Sequence, residues 1–159
     1  MIKCDLHIHS KDSFDSLADP EKIADLALAR GIQCIAVADH GNIKGSLEAA
    51  EYAKKKNLPI LVIISEEVKS KQGDILALNI KEPIPDHLPA CETLKRIKDQ
   101  NGLAIIAHPF GSFCGFKENL SNYFGQFDGI EILNGSVFSG NEEAEDFAQK
   151  HNLPFTAGS

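Results

Sequence analysis

The chain alternates short apolar runs with segments in which apolar residues recur every three or four positions. Strands are predicted over residues 2–9, 32–38, 60–64, 74–80, 103–107, 129–133 and 155–157. Most of these runs are apolar throughout, which is typical of strands that are buried on both faces of a parallel sheet. The alternation predicts an α/β fold, either a barrel or an open doubly wound sheet.

Residues that favour helix ends lie between these runs. Asp19 suits the N-cap and Pro20 the first turn of a helix that stops at Gly31. Three more helical segments are predicted around residues 46–56, 94–97 and 141–151. Residues 110–127 show no clean periodicity, and we expect a loop there with room for one short helix.

Residues of the kinds that bind metals follow the carboxyl ends of successive predicted strands. They are His7 with His9, Asp39 with His40, Glu66 with Glu67, His108, and Glu131 with Asn134. In a barrel such strand ends meet on one face, whereas in an open sheet only those beside the switch point converge. The number of contributing strands favours a barrel, smaller than the usual (β/α)8 barrel of about 250 residues.

The first strand carries the densest group of these residues. Alternate residues of a strand point to one side, so Asp5, His7 and His9 project together. Neutral imidazole is a common metal ligand, and a carboxylate beside a ligating histidine often orients it. The pattern predicts a metal centre; the alternative is a strand whose histidines lie in solvent or in the core.

Composition narrows the class of protein. The 159 residues suit one domain, and a net charge of −7, with arginine only at Arg30 and Arg96, predicts no basic surface for duplex nucleic acid. No apolar run is long enough for a membrane span and no signal peptide precedes the first strand, so a cytoplasmic protein is expected. Cys4 and Cys34 are predicted to be small buried residues. Cys114 lies in a loop where it could reach a metal, but the preferred interpretation is that it is not a ligand.

Several short motifs occur in order along the whole chain. They are Asp5-Leu6-His7-Ile8-His9-Ser10, Asp15, Ala38-Asp39-His40-Gly41, Glu66-Glu67-Val68, Ala107-His108-Pro109 and Ala157-Gly158-Ser159. This series resembles the motifs of the PHP family, the polymerase and histidinol phosphatase domain. The resemblance implies a distorted (β/α)7 barrel, akin to a TIM barrel, that binds divalent ions of Zn, Mn or Fe, up to three in the complete protein.

The same resemblance implies which residues bind the ions. The three overlapping sets are His7, His9 and Glu67 for the first ion, Glu67 and His108 for the second, and Asp15 with His40 for the third. Glu67 is preferred to Glu66 because the small-x-Glu-Val pattern of the family fits Ser65-Glu66-Glu67-Val68. Asp74 stands where relatives often have a histidine, and it is either a further ligand or a turn residue. Glu131 either orients a ligand or is an ordinary acid at a strand end.

The chain departs from the family pattern at its last motif. In the family, Gly-Ser continues into Asp-x-His, but this sequence ends at Ser159, one residue earlier. We expect residues 1–159 to form a single PHP-like domain that lacks its C-terminal end. The first and third metal sites are then expected to be the most weakened.

The resemblance implies hydrolysis of phosphate esters by a metal-bound water, without a side-chain nucleophile. The expected partner is a small phosphorylated substrate, a nucleotide or a nucleic-acid end. One alternative is a non-catalytic metal-binding module with a structural or assembly role. Another is a hydrolase of C–N bonds, but such enzymes usually place a carboxylated lysine or a histidine where this chain has Glu66-Glu67.

Substrate identity and oligomeric state are not determined by the sequence. Four aromatic residues in the region after the fifth predicted strand can either stack on a base or pack in the core: Phe110, Phe113, Phe116 and Tyr123.

Overall fold

A computed structural model describes residues 2–159 of the chain. Its strands are β1 (Cys4–Ile8), β2 (Cys34–Val37), β3 (Leu61–Lys69), β4 (Asp74–Leu78), β5 (Leu103–Ile106), β6 (Gly129–Asn134) and β7 (Phe155–Gly158). Its α-helices are α1 (Pro20–Ala29), α2 (Lys44–Lys56), α3 (Ala90–Asp99) and α4 (Asn141–His151), and a short 3-10 helix spans Leu120–Tyr123. No helix within residues 2–159 has the length and apolar character needed to cross a bilayer.

The seven strands lie side by side in chain order and nearly close into a barrel. The two outermost strands approach each other at the end of β7, where the Ser159 amide donates to the His7 carbonyl at 3.1 Å. The Ser159 hydroxyl also donates to the Asp5 carboxylate at 2.7 Å. The predicted distorted (β/α)7 barrel is confirmed.

The sheet is not parallel throughout, in contrast to the expectation from the apolar strands. β4 pairs antiparallel with both β3 and β5. Only residues 70–73 join β3 to β4, and a parallel crossover needs about a dozen residues or more, so the chain must turn back as a hairpin. Because β4 runs in the opposite direction, its first residue, Asp74, lies at the same end of the barrel as the carboxyl ends of its neighbours.

β3 is longer than the apolar run of residues 60–64 predicts. Its first half, up to Ile64, pairs parallel with β2, and its second half, from Ser65, pairs with β4. The polar pair Glu66-Glu67 therefore lies within the strand, not in the loop after it, because the hairpin continues the ladder of backbone hydrogen bonds.

The barrel interior is filled by small and branched apolar side chains. They are Ala36, Ala38, Leu76, Leu78, Ile105 and Ala107, with Leu6 and Ile63 packed against them. A second apolar layer packs the helices on the outside of the sheet and includes Ile23 and Ala27 of α1, Ile35 and Val37 of β2, and Ala49 of α2. At one end of the barrel, polar residues that lie in or directly after β1, β2, β3, β5 and β6 meet.

Candidate metal centre

The Glu67 carboxylate lies at the centre of the polar end of the barrel. Glu67 is only 2% exposed. Its Oε2 atom is 3.2 Å from His7 Nε2, 3.1 Å from His9 Nε2 and 3.3 Å from His40 Nε2. Its Oε1 atom is 3.0 Å from His108 Nε2. One buried carboxylate thus contacts imidazoles from three different strands or the loops that follow them.

The neighbouring Glu66 faces away from this cluster, since successive residues of a strand point to opposite faces. Its side chain is fully buried, and its Oε1 atom accepts a hydrogen bond from the Ile84 amide at 2.6 Å. Burial raises the pKa of Glu66 to about 7, although the Ile84 hydrogen bond opposes this. The structure therefore places Glu67, not Glu66, in the cluster; that Glu67 bridges two ions stays a prediction.

His7 is oriented from behind by Glu131 of β6. His7 Nδ1 donates to Glu131 Oε1 at 3.0 Å, which leaves Nε2 free to face Glu67. The other oxygen of Glu131 accepts the His108 amide at 2.9 Å and the Asn134 side-chain amide at 3.1 Å. Of the two interpretations of Glu131, the orienting one fits these contacts. In the sequence, Glu131 could be recognised only by its position near the end of a predicted strand. That position does not identify His7 as the histidine that it contacts.

A more open side of the cluster contains His9, Asp15 and His40. The Asp15 carboxylate is 2.9 Å from His9 Nδ1 and 3.5 Å from His40 Nε2, so it lies between the two rings. The exposed ring of Phe14 stacks on His40, with centroids 4.9 Å apart and planes inclined by 17°. No sequence pattern predicts this stacking, because it depends on how the loop after β1 folds back.

The opposite side of the cluster contains Asp74, His108 and the loop residue Cys114. All three line the pocket, which has a volume of about 430 Å³. Burial, and next to it the negative charge of Glu67, raise the pKa of Asp74. His108 takes an unusual positive φ of 27°, as its backbone turns out of β5.

Electrostatics favour the charged forms of four members of the cluster, His7, His9, His108 and Glu67. Burial alone would lower the pKa of His7, but the charges and hydrogen bonds of Glu67 and Glu131 outweigh it and raise the value to about 10. The pKa values of His9 and His108 are also raised, mainly by Glu67 against the effect of burial. In turn the histidines hold the pKa of Glu67 well below its usual range, although burial opposes this. Concentrated negative charge and convergent imidazoles suit a cation.

The donor atoms fit divalent metal ions. Four overlapping groups have ligand atoms that all lie within 4.8 Å of one another: His7, His108 and Glu131; His7, His9 and Glu67; His9, Asp15 and His40; and Glu67, Asp74 and His108. His7 Nε2 and His9 Nε2 are 3.1 Å apart. Two ligands of one tetrahedral zinc ion, each bonded at about 2.0–2.1 Å, lie roughly 3.3–3.4 Å apart. These buried His and Glu groups are consistent with divalent metal binding.

All seven predicted ligands, His7, His9, Asp15, His40, Glu67, Asp74 and His108, are lining residues of this one pocket. Their individual roles as ligands stay predictions. Asp39 is fully buried outside the cluster, where it accepts hydrogen bonds from the Ser10 amide at 2.6 Å and the Ser10 hydroxyl at 2.7 Å. Asp39 therefore holds the loop after β1 in place.

One cysteine differs from expectation, and the four loop aromatic residues divide between packing and exposure. Cys34 is buried as predicted, but Cys4 is exposed; it is the first residue of β1, at the end of the strand away from the metal cluster. Of the four candidate stacking residues, Phe116 packs edge-on against the buried Tyr123, and Phe110 packs against Phe147 of α4. Only Phe113 remains exposed.

Comparisons with known proteins agree with this geometry. A family model described as the PHP domain matches residues 5–106. An uncharacterized protein of Methanocaldococcus jannaschii is 35% identical over 144 residues, which cover 84% of this chain and 82% of the relative. A 5′-3′ exoribonuclease of Haemophilus influenzae is 29% identical over 105 residues, which cover 65% of this chain and 38% of the exoribonuclease.

A similar solved structure comes from Bacteroides vulgatus. It is a two-domain protein described as containing a predicted PHP-like metal-dependent phosphoesterase, and it superimposes with a TM-score of 0.80 at 22% identity. The match covers 97% of this chain but 50% of that protein, so the chain spans half of its length. At this identity the likeness shows the shared fold, while the family model and the Methanocaldococcus relative show the family. The chain belongs to the PHP domain family.

Proposed function

We propose that this protein hydrolyses phosphate esters at a site of two or three divalent metal ions. The observation that carries the proposal is the Glu67 carboxylate, which contacts His7 and His9 through one oxygen and His108 through the other. A carboxylate placed in this way is suited to bridge two ions. Bound ions would supply an activated water and would balance the negative charge of a phosphoryl group.

The side chains of the chain hold and orient this site. Glu131 fixes the tautomer of His7 by accepting a hydrogen bond from Nδ1–H, so that the lone pair of Nε2 is free to bind an ion. Asp39 fixes the loop that carries Asp15 by binding Ser10. The described residues around the pocket offer no serine paired with a base other than the candidate ligands, which is consistent with water as the nucleophile.

The family assignment supports phosphate ester chemistry, and the similarity to an exoribonuclease makes nucleotides and nucleic-acid ends reasonable substrates to test. The rival function is a metal-binding module without catalysis. The test is to load the purified protein with Mn or Zn, measure bound metal by mass spectrometry, and assay chromogenic phosphate mono- and diesters.

We expect turnover that a chelator abolishes and added metal restores. Stoichiometric metal with no turnover of any ester would favour the non-catalytic module. Cleavage of chromogenic amides in place of phosphate esters would favour the C–N hydrolase.

A further inference from the structure

An apolar hollow of about 190 Å³ adjoins the metal pocket. It is formed by the loops that follow β5 and β6 and is lined by Ser112, Phe113, Cys114, Ser136, Val137, Phe138 and Ser139. Three of these residues, Cys114, Ser136 and Val137, also line the metal pocket. The two spaces are therefore adjacent, so that a substrate whose phosphoryl group lies at Glu67 can direct its leaving group towards the hollow.

Two phenylalanines at the hollow have rings that no other residue of the described range 2–159 covers. Phe113 is 98% exposed and Phe138 is fully exposed, at 101% of the reference area. Single exposed apolar residues are ordinary on protein surfaces, but a cluster beside a polar pocket is typical of a binding site. Phe113 is the one residue of the four aromatic candidates that core packing leaves free, and Phe138 joins it from the next loop.

The loops that carry these rings are tied to each other. The hydroxyl groups of Ser112 and Ser139 form a hydrogen bond across the gap. Gly140 takes a positive φ of 98° directly against the Phe110 carbonyl, where any Cβ atom would clash. The two loops are thus held together by a side-chain hydrogen bond and a close backbone approach, and not by packing of the two rings against each other.

The charges around the pocket restrict the rest of the substrate. Within residues 2–159, the lining of the metal pocket contains no lysine or arginine. Lys11, in the loop after β1, is engaged by Glu48 at 3.1 Å and by Asp19 at 3.4 Å. A second phosphate away from the metal cluster would find no side-chain cation in this lining. The surroundings favour an uncharged apolar group.

We propose that the apolar hollow binds a planar ring in the leaving group, so that the preferred substrates are singly phosphorylated esters of ring-bearing alcohols, aryl or nucleoside. This inference rests on the proposed phosphoesterase function. The size is suitable, since an engineered protein cavity of about 150 Å³ binds benzene. Stacking of a ring on an aromatic side chain, by the measure of alanine substitution, strengthens binding about fivefold to a hundredfold.

The test compares two phosphonates that cannot be hydrolysed, phenylphosphonate and methylphosphonate, by calorimetric titration of the zinc-loaded protein. We expect phenylphosphonate to bind at least about tenfold more tightly. Phe113→Ala and Phe138→Ala should each reduce this preference about fivefold or more and leave the methylphosphonate affinity unchanged. Phe113→Tyr, which keeps a ring, should retain the preference.

Phe155→Ala is the matched control. Phe155 is 62% exposed at the start of β7, about 13 Å along the strand from Ser159 at the pocket, and its loss should change neither affinity. Equal binding of the two phosphonates, or an unchanged preference in both alanine variants, would overturn the ring site alone. Failure of both phosphonates to bind would overturn the phosphoesterase function and the ring site with it.

Turnover distinguishes the source of the ring. Values of kcat/KM are compared for phenyl phosphate, a nucleoside 5′-monophosphate and glycerol phosphate. A higher kcat/KM for either ring-bearing ester than for glycerol phosphate supports the ring site. The ring-bearing ester with the higher kcat/KM shows whether the site prefers an aryl ring or a nucleobase. Glycerol phosphate as the best of the three would contradict the proposal.

Discussion

His7 and Glu131 are 124 positions apart in the chain and are joined by a hydrogen bond of 3.0 Å. The bond crosses the seam where β7 and β6 approach β1, because Ser159 also binds the backbone of His7 there. The tautomer of a candidate metal ligand thus depends on how the barrel closes. Folding and metal binding are expected to be linked through this contact.

Replacing Glu131 should weaken metal binding, although Glu131 is not itself one of the predicted metal ligands. In Glu131→Gln one acceptor oxygen is lost, so His7 or the His108 amide loses its partner. Changes to such orienting residues typically cost about 10- to 100-fold in metal affinity. Competition with a chromophoric chelator measures the effect. Glu142→Gln, on the exposed face of α4, is the control, and equal affinities in the two variants would refute the orienting role.

The adjacent pair Glu66 and Glu67 gives a sharp test of ligand identity. Both side chains are buried, but they lie on opposite faces of β3. Glu67→Gln should lose most of the bound metal and at least about a hundredfold in turnover, since carboxylates neutralise and bridge ions. Glu66→Gln should keep both. Bound metal, measured by mass spectrometry, and initial rates are compared for the two variants. Loss of metal and turnover in Glu66→Gln but not in Glu67→Gln would assign the bridging role to Glu66.

Metal binding should strengthen as pH rises. The folded-state pKa of His7, about 10, lies above the ordinary value of 6.5, so proton binding stabilises the metal-free fold fully below pH 6.5. That stabilisation is lost as pH rises towards 10. A metal ion must displace such protons, so its affinity should rise by up to about tenfold per pH unit for each proton released. The Tm difference between zinc-loaded and chelator-treated protein, measured from pH 6 to 9, should increase; a constant difference would exclude proton displacement.

Glu66→Gln should also stabilise the protein at neutral and alkaline pH. The folded-state pKa of Glu66, about 7, exceeds its usual value of 4.5, so the unfolded chain loses this proton first and stability falls between these two values. Glutamine mimics the protonated acid and can still accept from the Ile84 amide. Denaturant unfolding should show the variant more stable than the wild type by about 1–3 kcal/mol above pH 7 and similar below pH 4.5. A difference in unfolding free energy that does not change with pH would show that folding does not raise the pKa of Glu66.

The α/β class, the barrel and the set of polar residues at one end of it could be predicted from local sequence patterns. Apolar runs such as residues 32–38 can be buried only between layers, and the order of motifs from His7 to His108 is a property of the chain. Helix boundaries such as Asp19-Pro20 were likewise predictable, because capping is a local interaction.

Which of these residues meet depends on contacts between distant parts of the chain. The choice between Glu66 and Glu67 depends on which face of β3 turns inward. The residues before this pair are apolar on both faces of the strand, so the alternation of side chains does not show which glutamate faces the cluster. Asp74 joins the cluster because a four-residue hairpin reverses β4. Phe110 and Phe116 pack against aromatic residues of α4 and the 3-10 helix, whereas Phe113 is left exposed. Glu131 finds His7 only when the ends of the sheet approach. Contacts between distant segments follow from barrel closure, and closure is a property of the packed whole, not of any local pattern.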